Sequence, residues 1–238
     1  MNTFQNSYFH IFFACLNAAL LISGCASTPT GSRIDNVPMY GQPEIVRPDF
    51  LQQADEQFIR EAVAGFGTRE KASDIWWAQA EEFMAQNNLD FAMRRYNQSW
   101  LLNQNNFKAY WGFARVLLER GAIEPALVHL EKAMTLCADT FQRPALLTDA
   151  GSAYSNKANR LVLKDRDDLF RKADSLFEQA VKIDSSYGNA YKRWAISLYH
   201  QEKYGEAWIK IAEAKMRPDA NIPPAFLRAL ESKMPGPK

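Results

Sequence analysis

Two consecutive stretches decide the fold: SDIWWAQAEEFMAQNNLDFAMRRYNQSWLLNQNN (73–106) and FKAYWGFARVLLERGAIEPALVHLEKAMTLCADT (107–140). Laid one under the other, they share a column of small residues, Ala80 and Ala114. A large apolar residue follows three places later, Phe83 and Leu117, and another precedes by four, Trp76 and Tyr110. A second small column, Ala92 and Ala126, is followed at four by Tyr96 and Leu130 and at seven by Ser99 and Ala133. Separations of three, four and seven place residues on one helix face. Each stretch therefore reads as two amphipathic helices joined by a short polar turn, Asn87-Asn88 in one and Arg120-Gly121 in the other.

The columns continue downstream. Gly151 and Ala195 take the first small place, with Leu147 and Tyr191 before them and Tyr154 and Leu198 after. Ala173 and Ala207 take the second, followed by Phe177 and Ile211, then Ala180 and Ala214. Segment 188–221 keeps the 34-residue period. Segment 144–187 does not: Gly151 and Ala173 are 22 apart where the others are 12 apart. The extra residues fall near Arg160–Phe170 and either lengthen both helices or form a protruding loop. No unit buries its apolar face alone, so the units must stack. The pattern over 73–221 resembles the tetratricopeptide repeat, which implies an all-α solenoid of about four helical hairpins. Leu51–Gly65 reads as an amphipathic helix before the array, with 66–72 as a linker. Pro223-Pro224 opens a capping helix within 222–238.

The N-terminus reads as an address. Residues 1–24 carry no Lys, Arg, Asp or Glu, and Ile11–Ile22 is an apolar run broken only by Asn17. It is too short for a comfortable bilayer span of about 20 residues and suits an export signal. Ile22-Ser23-Gly24-Cys25 resembles the lipobox of bacterial lipoproteins, which implies cleavage before Cys25 and lipidation of its thiol. Ala26 in second place implies an outer-membrane destination facing the periplasm. The signal departs from the usual pattern in lacking an early Lys or Arg. A plain cleaved signal at Gly24-x-Ala26 and an uncleaved anchor remain alternatives. Residues 25–50, with Pro29, Pro38, Pro43 and Pro48, read as an extended tether, from which Val37–Tyr40 could dock back on the domain.

Composition narrows the function. The chain has 238 residues, 28 Lys+Arg and 27 Asp+Glu, a formal charge of +1. That balance gives no phosphate-seeking field and argues against a nucleic-acid partner. Beyond the signal and Cys25 only Cys137 remains, read as a small apolar filler. His129 lies two turns from it, roughly 12 Å along a helix, too far for a Cys–His dyad. His200 closes a first helix and is expected to be solvated. Gly65-Phe66-Gly67 lacks the third glycine of a dinucleotide loop. Asp165–Asp168 lacks the glycine and terminal Glu of a calcium loop. The sequence thus points to no metal, no cofactor and no enzyme.

The remaining candidate is a groove. In stacked hairpins of the resembled kind the first helices line one concave face. By register that face holds Asp74, Trp77, Glu81, Lys108, Trp111, Arg115, Leu118, Thr148, Ser152, Asn189, Lys192, Ile196 and Tyr199. Trp77 and Trp111 fall at equivalent places and are expected to stack side by side. With Lys108 and Arg115 beside them, and Lys192, Ile196 and Tyr199 further along, they would anchor an apolar or aromatic peptide with acidic neighbours. The first helix, Leu51–Gly65, or Val37–Tyr40 could instead cover either indole. Repeats that clamp a C-terminal carboxylate carry Lys, Asn and Arg at set places, and here only Arg193 matches. The expected role is a lipid-anchored, periplasm-facing adaptor for a protein or peptide partner in envelope assembly. The alternatives are a self-associating structural protein or a binder of peptidoglycan fragments.

Overall fold

The computed structural model describes residues 49–161 and 166–237, all within one compact unit. The signal, Cys25, most of the tether and Val37–Tyr40 lie outside the described residues. Among those described there are ten α-helices and no strand. They are α1 (Asp49–Phe66), α2 (Arg69–Ala85), α3 (Leu89–Leu102), α4 (Phe107–Glu119) and α5 (Ile123–Leu136). There follow α6 (Arg143–Arg160), α7 (Arg166–Ile183), α8 (Gly188–His200), α9 (Tyr204–Lys215) and α10 (Pro224–Lys233). The pairs α2/α3, α4/α5, α6/α7 and α8/α9 pack as hairpins, each stacked on the next, with α1 against α2 and α3 and α10 against α9. No described helix is long and apolar enough to cross a membrane.

The columns are the core. Every column residue is buried except Trp76 and Phe83 of the first hairpin, which are half-buried. Small residues let helix axes approach, and the large ones fill the space between hairpins. Tyr96, Tyr110, Phe113, Phe177, Leu130 and Ile211 are among the largest side chains with almost no exposure. Trp76 is finished by α1: Phe58 and Phe66 bring their rings to 5.7 and 6.4 Å from it.

Boundaries differ modestly from the sequence reading. α1 starts at Asp49, so the last two residues assigned to the tether are helical. α2 starts at Arg69 rather than near Ser73, because Thr68 caps it by accepting the Lys71 amide at 3.2 Å. The irregular third unit lengthens both of its helices to 18 residues each. Asp167 and Asp168 then fall in the first turn of α7, where carboxylates suit the helix dipole.

Junctions at the ends of the hairpins rest on polar contacts. Asn106 caps α4 by accepting the Lys108 amide at 3.1 Å, and its own amide donates to Ser73 Oγ at 2.8 Å. Ser73 Oγ in turn donates to the Ser99 carbonyl at 2.8 Å. At the last junction the Asp219 carboxylate accepts the amides of Gly188 and Asn189 at 2.9 and 3.2 Å. That contact satisfies the start of α8 from 31 residues away.

Within the hairpins, the equivalent turn residues Asn87, Gly121 and Glu202 all have positive φ: 55°, 77° and 62°. Asn and Gly tolerate that conformation, whereas Glu carries a steric cost of roughly 1–2 kcal/mol. Glu202→Asn is expected to raise stability by about 1 kcal/mol. A fall in the urea midpoint would contradict this.

Candidate groove on the first-helix face

Contacts among α2, α4 and α6 join several of the candidate residues and pair them internally. Asp74 on α2 and Lys108 on α4 meet at 3.1 Å. Glu81 on α2 receives Arg115 on α4 through both carboxylate oxygens, at 2.8 and 2.6 Å. Tyr96, reaching from α3, donates its hydroxyl to the same carboxylate at 2.5 Å. Burial, then the Glu81 charge, pushes the Tyr96 phenol far up, so it stays a donor. Burial alone would lower the Arg115 guanidinium, but the Glu81 carboxylate outweighs it and holds Arg115 above its ordinary value. Lys108 and Arg115, expected to offer free charge to a partner, are therefore neutralised from within.

The two indoles do not stack on one another. The Lys108 ammonium lies 4.8 Å from the centre of the Trp77 ring. Trp111 donates its indole N–H to Asp149 Oδ2 on α6 at 2.9 Å. Equivalent residues on stacked helices are separated by about 8–10 Å, beyond ring contact, so intervening side chains fill the space. Both indoles are half-buried. The aromatic rings of α1, Phe58 and Phe66, engage the neighbouring Trp76.

Asp149 is the groove residue that sequence reasoning missed. Thr148 holds the expected place, yet it is fully buried and donates to the Pro144 carbonyl at 2.8 Å. The groove face of α6 is turned by one residue, to Asp149 and Ser152, both half-buried. Burial raises the Asp149 carboxyl above its ordinary range, against the Trp111 hydrogen bond and the Arg115 and Arg193 charges that lower it. The signal available in the sequence was the indole at Trp111, which needs an acceptor when buried.

Lys192 and Ile196 on α8 are half-buried. Tyr199 belongs instead to the C-terminal cluster. Its ring meets Phe226 of α10 at 5.7 Å and Tyr204 at 5.6 Å, because α10 lies over that end of the row. His200 is half-buried rather than solvated. Arg166, on the lengthened α7, donates to its carbonyl, and burial followed by the Arg166 charge lowers the imidazole pKa.

The remaining reactive groups are structural. Cys137 is 4% exposed, and burial pushes its thiol up, away from reactivity. His129 is 4% exposed, with Phe113 and Tyr110 at 5.3 and 6.4 Å between ring centres. Burial brings its pKa down to about 4. Among the described residues no group of three or more His, Cys, Asp or Glu could hold a metal ion. A cleft of about 570 Å³ lies between the start of α7 and the α8–α9 turn, lined by Arg166, Phe170 and Lys203 among others.

No family model matches the chain, and no curated protein matches it. Among solved structures it is similar to a thermophilic tetratricopeptide-repeat protein of Thermus thermophilus, at 17% identity and a TM-score of 0.57. The match covers 68% of this chain and 80% of that one. At such identity the likeness is one of fold. It agrees with the buried columns, and the fold is an all-α solenoid of tetratricopeptide-type hairpins.

Proposed function

We propose that this chain is an adaptor without catalytic activity, holding a protein partner along the face of α2, α4, α6 and α8. It would do so from a lipid anchor at Cys25, on the periplasmic side of a bacterial outer membrane, in the service of envelope assembly. The observation that carries the adaptor reading is the row of half-buried Trp77 and Trp111 on a rigid face fixed by cross-hairpin ion pairs. Rigid, partly exposed indoles are the kind of side chain that anchors protein interfaces. The anchor and destination rest on Ile22-Ser23-Gly24-Cys25 and Ala26.

A crosslinked pull-down from native envelopes tests the reading, with the full chain beside a Trp77→Ala/Trp111→Ala variant of unchanged helicity. A defined partner recovered with the parent and lost with the variant is the expected result. The same set recovered by both sinks the groove. Mass spectrometry of the native N-terminus checks the address: an intact Met1 would exclude lipidation at Cys25.

Self-association is the second reading. Ile209 on α9 and Met216, which caps its C-terminal end, stand 60% and 74% exposed. A mass by light scattering that rises with concentration would favour it.

A further inference from the structure

The end of the chain folds back on the solenoid. α10 stops at Lys233, and Met234, its C-cap, turns extended at φ −151° and ψ 123°. The sequence dictates that exit. Met234-Pro235-Gly236-Pro237 holds two prolines, which cannot continue a helix and keep the residues before them extended. The tail then meets α9. The Trp208 indole N–H donates to the Met234 carbonyl at 3.0 Å. Gly236 lies so close to the six-membered part of that indole that a Cβ on it would sit 3.3 Å from two ring atoms. The Met234 sulfur lies beside Gly205, where an added Cβ would be 3.9 Å from it. Gly205 and Trp208 are three apart on α9 and so share a face.

The two sides match in chemistry. An indole offers a donor and no acceptor, and a proline-rich backbone offers carbonyls with few N–H groups. An extended proline segment also has little entropy left to lose when it lies on an aromatic surface. The seat is open: Met234 is 41% exposed, Pro235 and Pro237 are exposed, and the indole is half-buried. We propose that Gly205 and Trp208 form a docking site, separate from the first-helix face, for an extended proline-containing segment of a partner protein. The tail Met234–Pro237 occupies that site in cis. A partner segment would copy the tail, with a carbonyl before a proline for the indole N–H and a glycine against the ring. A tail tethered this closely competes at an effective concentration on the order of 1 mM. A segment of about 100 µM intrinsic affinity would therefore bind the occupied site roughly tenfold more weakly than the vacated one.

Indole N–H resonances and peptide binding to the full chain test this. Trp208→Phe assigns the Trp208 signal by its loss and keeps a ring in place. In Pro235→Gly/Gly236→Val that signal should move, because the tail is loosened and valine does not fit against the ring. A peptide of residues 232–238, SKMPGPK, should return it toward its parent position. By fluorescence anisotropy the labelled peptide should bind this variant roughly tenfold more tightly than it binds the parent. The same peptide with both prolines replaced by alanine should bind the variant more weakly. An unmoved signal in the tail variant, or no return at millimolar peptide, overturns the proposal. So does equal affinity for parent and variant, or equal binding of the alanine peptide.

Discussion

Replacing Gly112 with alanine is expected to cost about 2–3 kcal/mol, although alanine is the better helix former. On propensity alone the change inside α4 would gain about 1 kcal/mol. Packing decides the sign. A Cβ at Gly112 would lie 2.3 Å from two ring atoms of Tyr96 and 2.5 Å from a third. The Tyr96 ring has no room to yield. It is fully buried, its hydroxyl is held by Glu81, and its edge meets Phe113 at 6.4 Å and 84°. Overpacking of a filled core typically costs about 1–3 kcal/mol. Urea unfolding of the variant should show a lower midpoint. Repeating the change in a Tyr96→Leu background should recover most of the loss, because the obstructing ring is gone. Equal losses in both backgrounds would remove Tyr96 as the cause.

The second large effect is a loss of stability in mild acid that depends on His129. Its folded pKa, about 4, lies below the ordinary value of 6.5 because burial disfavours the imidazolium. The unfolded chain therefore takes up the proton first as pH falls. Stability held by neutral His129 is complete above about pH 6.5. It drains away between there and about pH 4, and is level below. One proton over that window amounts to about 3 kcal/mol. Asp149 and Asp174 work the other way, since burial raises both and protonation relieves their cost. Comparison with His129→Leu cancels these common terms. Between about pH 7.5 and 4.5 the parent should lose about 2–3 kcal/mol more than the variant. Parallel curves would show that His129 titrates as it would in water.

These two predictions draw on different kinds of information. The apolar columns and the polar turns were legible along the chain. Gly112 and His129 stand outside the columns, and nothing near them in sequence names Tyr96 as the obstacle or Phe113 and Tyr110 as the enclosure. The groove divides the same way. Lys192 and Ile196 were assigned by helical period, and both are half-buried on α8. The Asp74–Lys108 and Glu81–Arg115 pairs join places 34 residues apart, so the repeat period carried them too, whereas the Trp111–Asp149 hydrogen bond joins places 38 apart and was not legible.

The sequence by itself determined the class of fold, the hairpin count, the core columns and the turns, apart from the form of the third unit. These rest on the helical period and on turn chemistry, both properties of neighbours in the chain. Tertiary structure alone decided that the third unit lengthens its helices, that α6 presents Asp149 instead of Thr148, and that α10 closes over Tyr199. Each of those depends on the axial offset and rotation of one helix against another. Packing of side chains far apart in the chain sets those quantities, and no local pattern carries them.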